Sequence, residues 1–266
     1  MEQIREPAVA GTFYPGGVDE LAGLVEDLLS DASPGPMPET RPKAIIAPHA
    51  GFIYSGPVAA SIYARLAPFR NIYRRVILLG PTHRYPIRGL ATHSAQAFRT
   101  PLGDVPLDRD LLDRALELPQ VQLLDAAHRG EHSLEVHLPF LQMVLDRFTL
   151  APLVVGDAHA EEVASVLRAL WGGDETLVVI SSDLSHFLSY EEARRMDETT
   201  AGAIEALDPR GIGRDQACGR IPMAGLLLLA REEGLQVERV DLRSSGDTAG
   251  SRSQVVGYGS FLFTPE

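Results

Sequence analysis

Three short apolar runs in the sequence each lead into a polar turn that carries a histidine. The pairs of run and histidine are Ala44–Ala47 with His49, Val76–Leu79 with His83, and Leu177–Ile180 with His186. Neutral imidazole is the most frequent metal ligand in proteins, and it is also the usual general acid or base near neutral pH. If the runs are neighbouring parallel strands, their carboxyl ends meet at one edge of a sheet, where open α/β sheets bind ligands. Any one of these histidines alone is more typical of an ordinary loop residue, but together they predict one shared pocket.

Cys218 is the only cysteine, and it lies just before a helical pattern at residues 221–233. Unpaired amide groups and the macrodipole at a helix N-terminus stabilise a thiolate, and Arg220 adds positive charge. This placement predicts a thiol of low pKa that is able to join the histidines as a metal ligand. The alternative interpretation is a buried small hydrophobic residue, which is the more common environment of a free cysteine.

His132 and His137 lie close together in a second histidine-containing segment. They are five residues apart, which is about 140° around a helix of 3.6 residues per turn, so a continuous helix would not direct both at one ion. His132 and Glu135 would share a helix face, and we predict that His132 is a pocket-lining catalytic residue or proton shuttle. The alternative is a polar helix start capped by Ser133. The roles of Glu135 and His137 are left open.

Motifs of other enzyme classes are missing or weak. No glycine-rich phosphate loop precedes a helix, and no G-x-S-x-G elbow occurs. Ser182, Asp183 and His186 lie within five residues of one another, whereas members of a hydrolytic triad normally come from separate loops. This crowding argues against a hydrolytic triad. The segment Ser244–Ser253 is predicted to be either a flap or an ordinary surface loop.

The elements that must position these residues alternate between helix and strand. The helical patterns cover residues 18–29, 57–67, 108–117, 134–147, 160–170, 190–206 and 221–233, and the strand patterns cover 44–47, 76–79, 121–124, 150–155, 177–180 and 255–263. Such alternation predicts a mostly parallel sheet covered by helices on both faces. A length of 266 residues favours one domain over the whole chain, residues 1–266.

Charge and composition exclude several kinds of partner. The chain has 24 basic and 36 acidic residues, a formal charge of −12 and a pI near 5.1, which disfavours nucleic acid and anionic membranes. Residues 44–64 lack Asp, Glu, Lys and Arg, but they contain two prolines and a histidine, so we interpret them as a strand, a turn and a helix. A single cysteine allows no intramolecular disulfide, and the first residues show no apolar secretory signal. Both features predict a cytoplasmic protein.

The order of these motifs resembles the Memo family. The matching segments are Ala47–Gly51, Tyr54–Gly56, Gly80–His83, Glu131–Glu135, Ser181–Asp183 with His186, Cys218–Gly219 with Pro222, and Val256–Tyr258. They run from about residue 4 to residue 263, and bacterial and archaeal members are called AmmeMemoRadiSam system protein B. The family is similar in fold to the class III, LigB-type extradiol dioxygenases, so the resemblance implies a single three-layer α/β/α domain.

The resemblance also implies a site. Its metal ligands would be His49, His83 and Cys218, and His186 would match the acid/base histidine of the dioxygenases, with Asp183 beside it. The dioxygenases have a glutamate where this sequence has Cys218. A thiolate is softer than a carboxylate and favours Cu(I), Zn(II) or a differently tuned iron, so the dioxygenase reaction does not follow from the fold. We expect iron or copper, with zinc as the alternative.

Three functions are compatible with the sequence. The first is redox chemistry with O₂ on an unknown small-molecule substrate at the His/His/Cys site. The second is a non-catalytic adaptor that binds a peptide or protein in the same cleft; the resemblance implies a radical-SAM protein and AmmeMemoRadiSam system protein A as companions. The third is a zinc-dependent hydrolase with Asp183 as its base.

Overall fold

A computed structural model describes residues 4–32 and 35–265 of the chain. The helices are α1 (Val18–Asp31), α2 (Phe52–Ala64), α3 (Arg109–Leu116), α4 (Asp125–His128), α5 (Leu138–Val144), α6 (Ala160–Leu170), α7 (Tyr190–Glu205) and α8 (Arg220–Glu232). The strands are β1 (Ile4–Arg5), β2 (Ala44–Ala47), β3 (Arg75–Pro81), β4 (Leu90–Thr92), β5 (Ala97–Thr100), β6 (Gly103–Pro106), β7 (Val121–Leu123), β8 (Thr149–Val155), β9 (Thr176–Ser181), β10 (His186–Leu188), β11 (Gln236–Ser244) and β12 (Val255–Thr264).

The main sheet is parallel at its centre and antiparallel at its margins. Its order is β10-β12-β2-β9-β3-β8-β4-β7, and β11 also pairs with β12, in antiparallel orientation. The neighbours β2, β9, β3 and β8 are mutually parallel, while β12 and β4 run antiparallel to them. These four central strands are almost entirely buried, because helices cover both faces of the sheet.

Two helical layers cover the sheet. On one side α2 packs on β2 and β12 and is supported by α1 and α5, while on the other side α8 packs on β3 and β9 and is supported by α6, which also contacts α3. The amphipathic pattern of α1 buries Leu21 and Val25 and leaves its acidic residues exposed. The predicted three-layer α/β/α fold class is thus confirmed, and its extension over all 266 residues as one domain stays a prediction.

Most predicted elements have the expected type, and the differences have local causes. The helix predicted over 134–147 is wrong in its first turn: a 3₁₀ turn at Glu135–His137 precedes α5. Pro139 explains this boundary, since proline lacks an N–H and suits the first turn of a helix. The segment 44–64 forms β2, a turn and α2 as predicted. None of the helices in the described ranges has the length and apolar character of a membrane span.

A second, three-stranded sheet was not predicted. β5 pairs with β1 and with β6, so the start of the described chain is attached to a hairpin far along the sequence. The attachment carries Arg5 into the interior, where its guanidinium lies 4.9 Å from the ring centroid of Phe98. This small sheet thereby holds the N-terminal residues close to the carboxyl edge of the main sheet.

Candidate metal centre

The strand order brings two of the predicted histidines together. β9 lies between β2 and β3, so the carboxyl ends of three parallel strands form one continuous edge. The loops after β2 and β3 place the rings of His49 and His83 with centroids 5.2 Å apart and planes at 75°. The condition stated from the sequence, that the apolar runs be neighbouring strands, is met.

The ring of His49 is held in one tautomer by the end of β9. The Ser181 hydroxyl donates to the carbonyl of Ser133 at 2.5 Å, so it accepts from Nδ1 of His49, also at 2.5 Å. The proton of the neutral ring therefore lies on Nδ1, and the lone pair of Nε2 faces the site. Burial holds the pKa of His49 well below its usual range, and the neighbouring histidines lower it further.

Glu131 holds the second histidine and the loop that carries a third. One carboxylate oxygen accepts the backbone N–H of His83 at 2.6 Å, and the other accepts Nδ1 of the same residue at 2.9 Å. The second oxygen also accepts the backbone N–H groups of His132 and Ser133, both at 2.9 Å. Although burial opposes ionisation, these donors lower the pKa of Glu131 to about 2, so it is a carboxylate at neutral pH. A carboxylate on Nδ1 leaves Nε2 of His83 as the ligand atom.

His132 is the third imidazole of the group. One ring nitrogen each from His49, His83 and His132 lies within 4.8 Å of the others. The ring of His132 stacks on His83 with centroids 4.7 Å apart and meets His49 edge-on at 5.5 Å. Burial lowers the pKa of His132 to about 4, so the ring is neutral at pH 7. We call these three residues the histidine cluster.

Residues 131–134 form no helix; Glu131 instead bonds the backbone N–H groups of His132 and Ser133. The carboxylate of Glu135 bonds Arg5 and Tyr14, and Ser133 donates to the carbonyl of Pro81 instead of capping a helix. His137 lies outside the histidine cluster, with Nδ1 2.8 Å from the hydroxyl of Tyr63. The sequence argument that His132 and His137 would not serve one ion therefore agrees with the structure.

Cys218 lies against His49. Its Sγ is 3.3 Å from Nε2 of His49, although it is not a member of the three-nitrogen group. A Cβ at Gly219 would lie 2.5 Å from the carbonyl oxygen of Ser181, so only glycine lets α8 begin close enough to β9 to bring the thiol here. The expectation of a low pKa is wrong: burial and the nearby Asp183 raise the pKa of the thiol to about 12.

Asp183 and His186 follow β9 at the same edge. Oδ1 of Asp183 accepts the backbone N–H of His49 at 2.7 Å, so the carboxyl group fixes the first ligand loop. Burial raises the pKa of Asp183 to about 7. His186 begins β10, is half-buried, and has a pKa lowered by burial. Among the described residues no hydrogen bond joins Asp183 to His186.

The donor set fits a transition metal. Two ligand atoms at about 2.0–2.3 Å from one ion lie roughly 3–4.5 Å apart, which is the scale of the 3.3 Å Sγ–Nε2 separation and of the histidine cluster. His49 and His132 are neutral because burial lowers their pKa values, and His49 and His83 are oriented through Nδ1 by a hydroxyl and a carboxylate, which is the usual support of metal-binding histidines. Sequence reasoning missed Glu131 and Ser181 in these roles; the only signal was their position next to His132 and at the end of β9.

Comparison with known proteins agrees with this arrangement of motifs. The sequence profile described as Memo-like protein matches residues 5–262. The chain belongs to the Memo family. A MEMO1 family protein of Aquifex aeolicus is 38% identical over 98% of this chain and 99% of its own length. A MEMO1 family protein of Methanobrevibacter smithii is 34% identical over 98% of this chain and 99% of its own length.

A solved structure shares the fold of this Memo-family protein. The crystal structure of uncharacterized protein JW3007 from Escherichia coli K12 superposes with a TM-score of 0.51, covering 81% of this chain and 98% of that one. The identity is 14%, so this likeness concerns the fold alone.

Proposed function

We propose that this Memo-family protein binds iron or copper through His49, His83 and Cys218 and uses it for redox chemistry with O₂ on a small organic substrate. The observation that carries the proposal is the orientation of His49: its Nδ1 proton is committed to Ser181, and its Nε2 faces the Cys218 sulfur at 3.3 Å. His132 lies close enough to add a third nitrogen as a fourth ligand. The imidazole proton points away from the site, and a cation is able to displace the proton of the thiol. Together the two groups form a binding site for a soft or borderline metal.

The chain's own residues would support the reaction in separate ways. Iron or copper, when bound, supplies redox and Lewis-acid chemistry at this edge of the sheet. His186 is neutral at pH 7 because burial lowers its pKa, so it is able to accept a proton from a substrate. Asp183 bonds the backbone N–H of His49, and Glu131 bonds the ring of His83, so these two side chains fix the positions of the loops that carry the ligands. The ring of His132 lies beside the rings of His49 and His83.

The test is elemental analysis of protein purified anaerobically without a metal-binding tag. We expect near-stoichiometric iron or copper in the wild type, and loss of that metal from His49→Ala and Cys218→Ala variants that retain their far-UV circular dichroism. His159→Gln is the matched control, because His159 is exposed and offers no atom to the histidine cluster. Comparison with His132→Ala then tells whether the fourth ligand is needed.

The possible results separate the proposals. Full metal content in His49→Ala would refute the ligand assignment. Zinc in place of iron or copper would favour the hydrolase, which requires Asp183 as base. No metal in the wild type, even after anaerobic reconstitution, would refute the metal-dependent function.

A second candidate, an adaptor, is supported by exposed apolar side chains beside the site. Of the eight large hydrophobic residues that are exposed in the described ranges, four follow a site histidine within five residues: Ile53, Tyr54, Tyr85 and Phe187. Exposed apolar groups concentrated at one cleft are typical of a surface that contacts a ligand or partner. Binding of purified AmmeMemoRadiSam system protein A or its radical-SAM companion, with an affinity unchanged by Cys218→Ala, would favour this function.

A further inference from the structure

Glu135 is a fully buried carboxylate whose donors all come from the first residues of the described chain. It accepts from Arg5 Nη1 at 2.6 Å, from the backbone N–H groups of Ala8 and Val9 at 2.7 and 2.9 Å, and from the Tyr14 hydroxyl at 2.6 Å. A buried carboxylate without partners is strongly unfavourable. The burial of Glu135 and the docking of residues 5–14 are therefore one energetic event. We call residues 5–14 the N-terminal strap.

The start of the N-terminal strap is hydrogen-bonded to Glu131, which holds the ring of His83 and the backbone of His132. Arg5 donates from Nη2 to the backbone carbonyl of Glu131 at 2.6 Å. The side chain of Glu131 bonds His83 and the backbone of His132. Arg5 thus fixes the same short loop from two sides, through Glu131 and through Glu135.

The far end of the N-terminal strap reaches the histidine cluster itself. The ring of Phe13 packs against the ring of His132, with centroids 4.7 Å apart and planes at 53°. The carbonyl of Phe13 accepts the backbone N–H of Phe52 at 2.7 Å, and Phe52 follows His49 by three residues. One residue of the strap therefore touches a cluster imidazole and the loop behind another.

We propose that the N-terminal strap is part of the metal centre, and that Glu135 and Phe13 are positioning residues that keep His132 and the His49 loop at metal-binding separation. This inference rests on the proposed function. Both oxygens of Glu135 are occupied by protein donors, and Phe13 has no ligand atom. Their effect on a bound ion is therefore indirect, through the loops that they hold.

The test compares the binding of Co(II), added alone to the metal-free protein, in Glu135→Gln, Phe13→Ala and the control Asp108→Asn. Asp108 is also a buried carboxylate, paired with Arg75 and accepting from Thr149 at the start of β8, the edge of the sheet opposite the site. We expect Glu135→Gln to weaken Co(II) binding about tenfold or more and to shift its visible absorption, as changes in the groups that support metal ligands do. Phe13→Ala should shift the spectrum with a smaller loss of affinity. Asp108→Asn should lower thermal stability and leave the dissociation constant and spectrum unchanged.

The visible spectrum of bound Co(II) reports the arrangement of its ligands, so a purely structural role of the strap would not alter it. Wild-type affinity and spectrum in both Glu135→Gln and Phe13→Ala would overturn the inference. If Glu135→Gln fails to fold, Phe13→Ala decides the question, because that ring is half-buried and tolerates truncation.

Failure of the proposed function gives a different result, namely no Co(II) binding by the wild type. In that case hydrogen exchange of the metal-free protein decides on the strap. Loss of protection at the amides of Val9 and Phe52 in Glu135→Gln, but not in Asp108→Asn, would support positioning of the His49 loop by the strap. Unchanged protection at Phe52 would overturn it.

Discussion

Replacement of Glu131 by glutamine tests the view that one carboxylate organises the candidate metal centre. Glu131 is 2% exposed and accepts four N–H groups, two from His83 and one each from His132 and Ser133. Glutamine has nearly the same shape, but it has one oxygen, one NH₂ group and no charge. Whichever way the amide lies, at least one N–H of the loop then faces another donor.

The magnitude follows from the bonds that are lost or weakened. A buried donor left without an acceptor costs about 1–3 kcal/mol, and hydrogen bonds to a charged acceptor exceed neutral ones by roughly 1 kcal/mol each. With one bond lost and up to three weakened, we expect Glu131→Gln to lower the free energy of unfolding of the metal-free protein by about 3 kcal/mol. Because His83 also loses the carboxylate on Nδ1, Co(II) affinity should fall about 10–100-fold.

Urea denaturation of the metal-free protein and Co(II) titration measure the two effects separately. Glu232→Gln is the control, since Glu232 forms an exposed ion pair with Arg168 that contributes little to stability. The reasoning is refuted if Glu131→Gln matches the control in both assays. A loss of stability without a loss of Co(II) affinity would leave Glu131 a structural residue only.

Two further predictions concern buried charged groups outside the centre. Burial raises the pKa of Asp197 to about 6, so its contribution to stability is greatest below about pH 4 and is lost as the pH rises through 6. Between pH 5 and 7.5 the free energy of unfolding of the wild type should fall by about 1 kcal/mol relative to that of Asp197→Asn, which keeps an acceptor for the Ser185 N–H. Urea denaturation measures both proteins at both pH values, and an equal change in wild type and variant would contradict this prediction. Lys43, the only lysine, donates from its buried ammonium to the carbonyls of Trp171, Gly173 and Thr176 at 2.6, 2.9 and 3.1 Å. Lys43→Met should cost about 3 kcal/mol by the same denaturation assay, because three carbonyls lose a charged donor, and a cost under 1 kcal/mol would show that water replaces it.

The fold could be predicted where the residue pattern itself carries the information. β2, β3 and β9 are apolar on both faces and contain no charged residue inside the buried run, which is typical of central parallel strands. The order of these strands was only a condition in the sequence argument, because it depends on how the chain crosses between them. β10 has three residues and β11 mixes polar and apolar residues on both faces, so neither gave a strand pattern.

The sequence likewise predicted which residues of the candidate site follow the strands, but not the hydrogen bonds that hold them. His49 and His83 follow strands directly, so their approach follows from the strand order. Glu131 could not be recognised as the partner of His83, since the two are 48 residues apart and meet only through the fold of the loop before α5. The predicted low pKa of Cys218 is wrong because the helix-end argument assumes a thiol open to solvent, whereas burial dominates its pKa.

The arrangement of the histidine cluster is not one that stability of the fold alone would favour. His49 directs its Nδ1 proton outward to Ser181, and His83 bonds Glu131 through Nδ1, so Nε2 of each ring faces the cluster. The Cys218 thiol lies 3.3 Å from the inward nitrogen of His49. Of the three histidines only His49 is fully buried, and burial of its inward nitrogen without a strong partner costs free energy that an apolar side chain would not. Residues that violate the local rules of packing concentrate at functional sites, and a cation at this point would remove the violation.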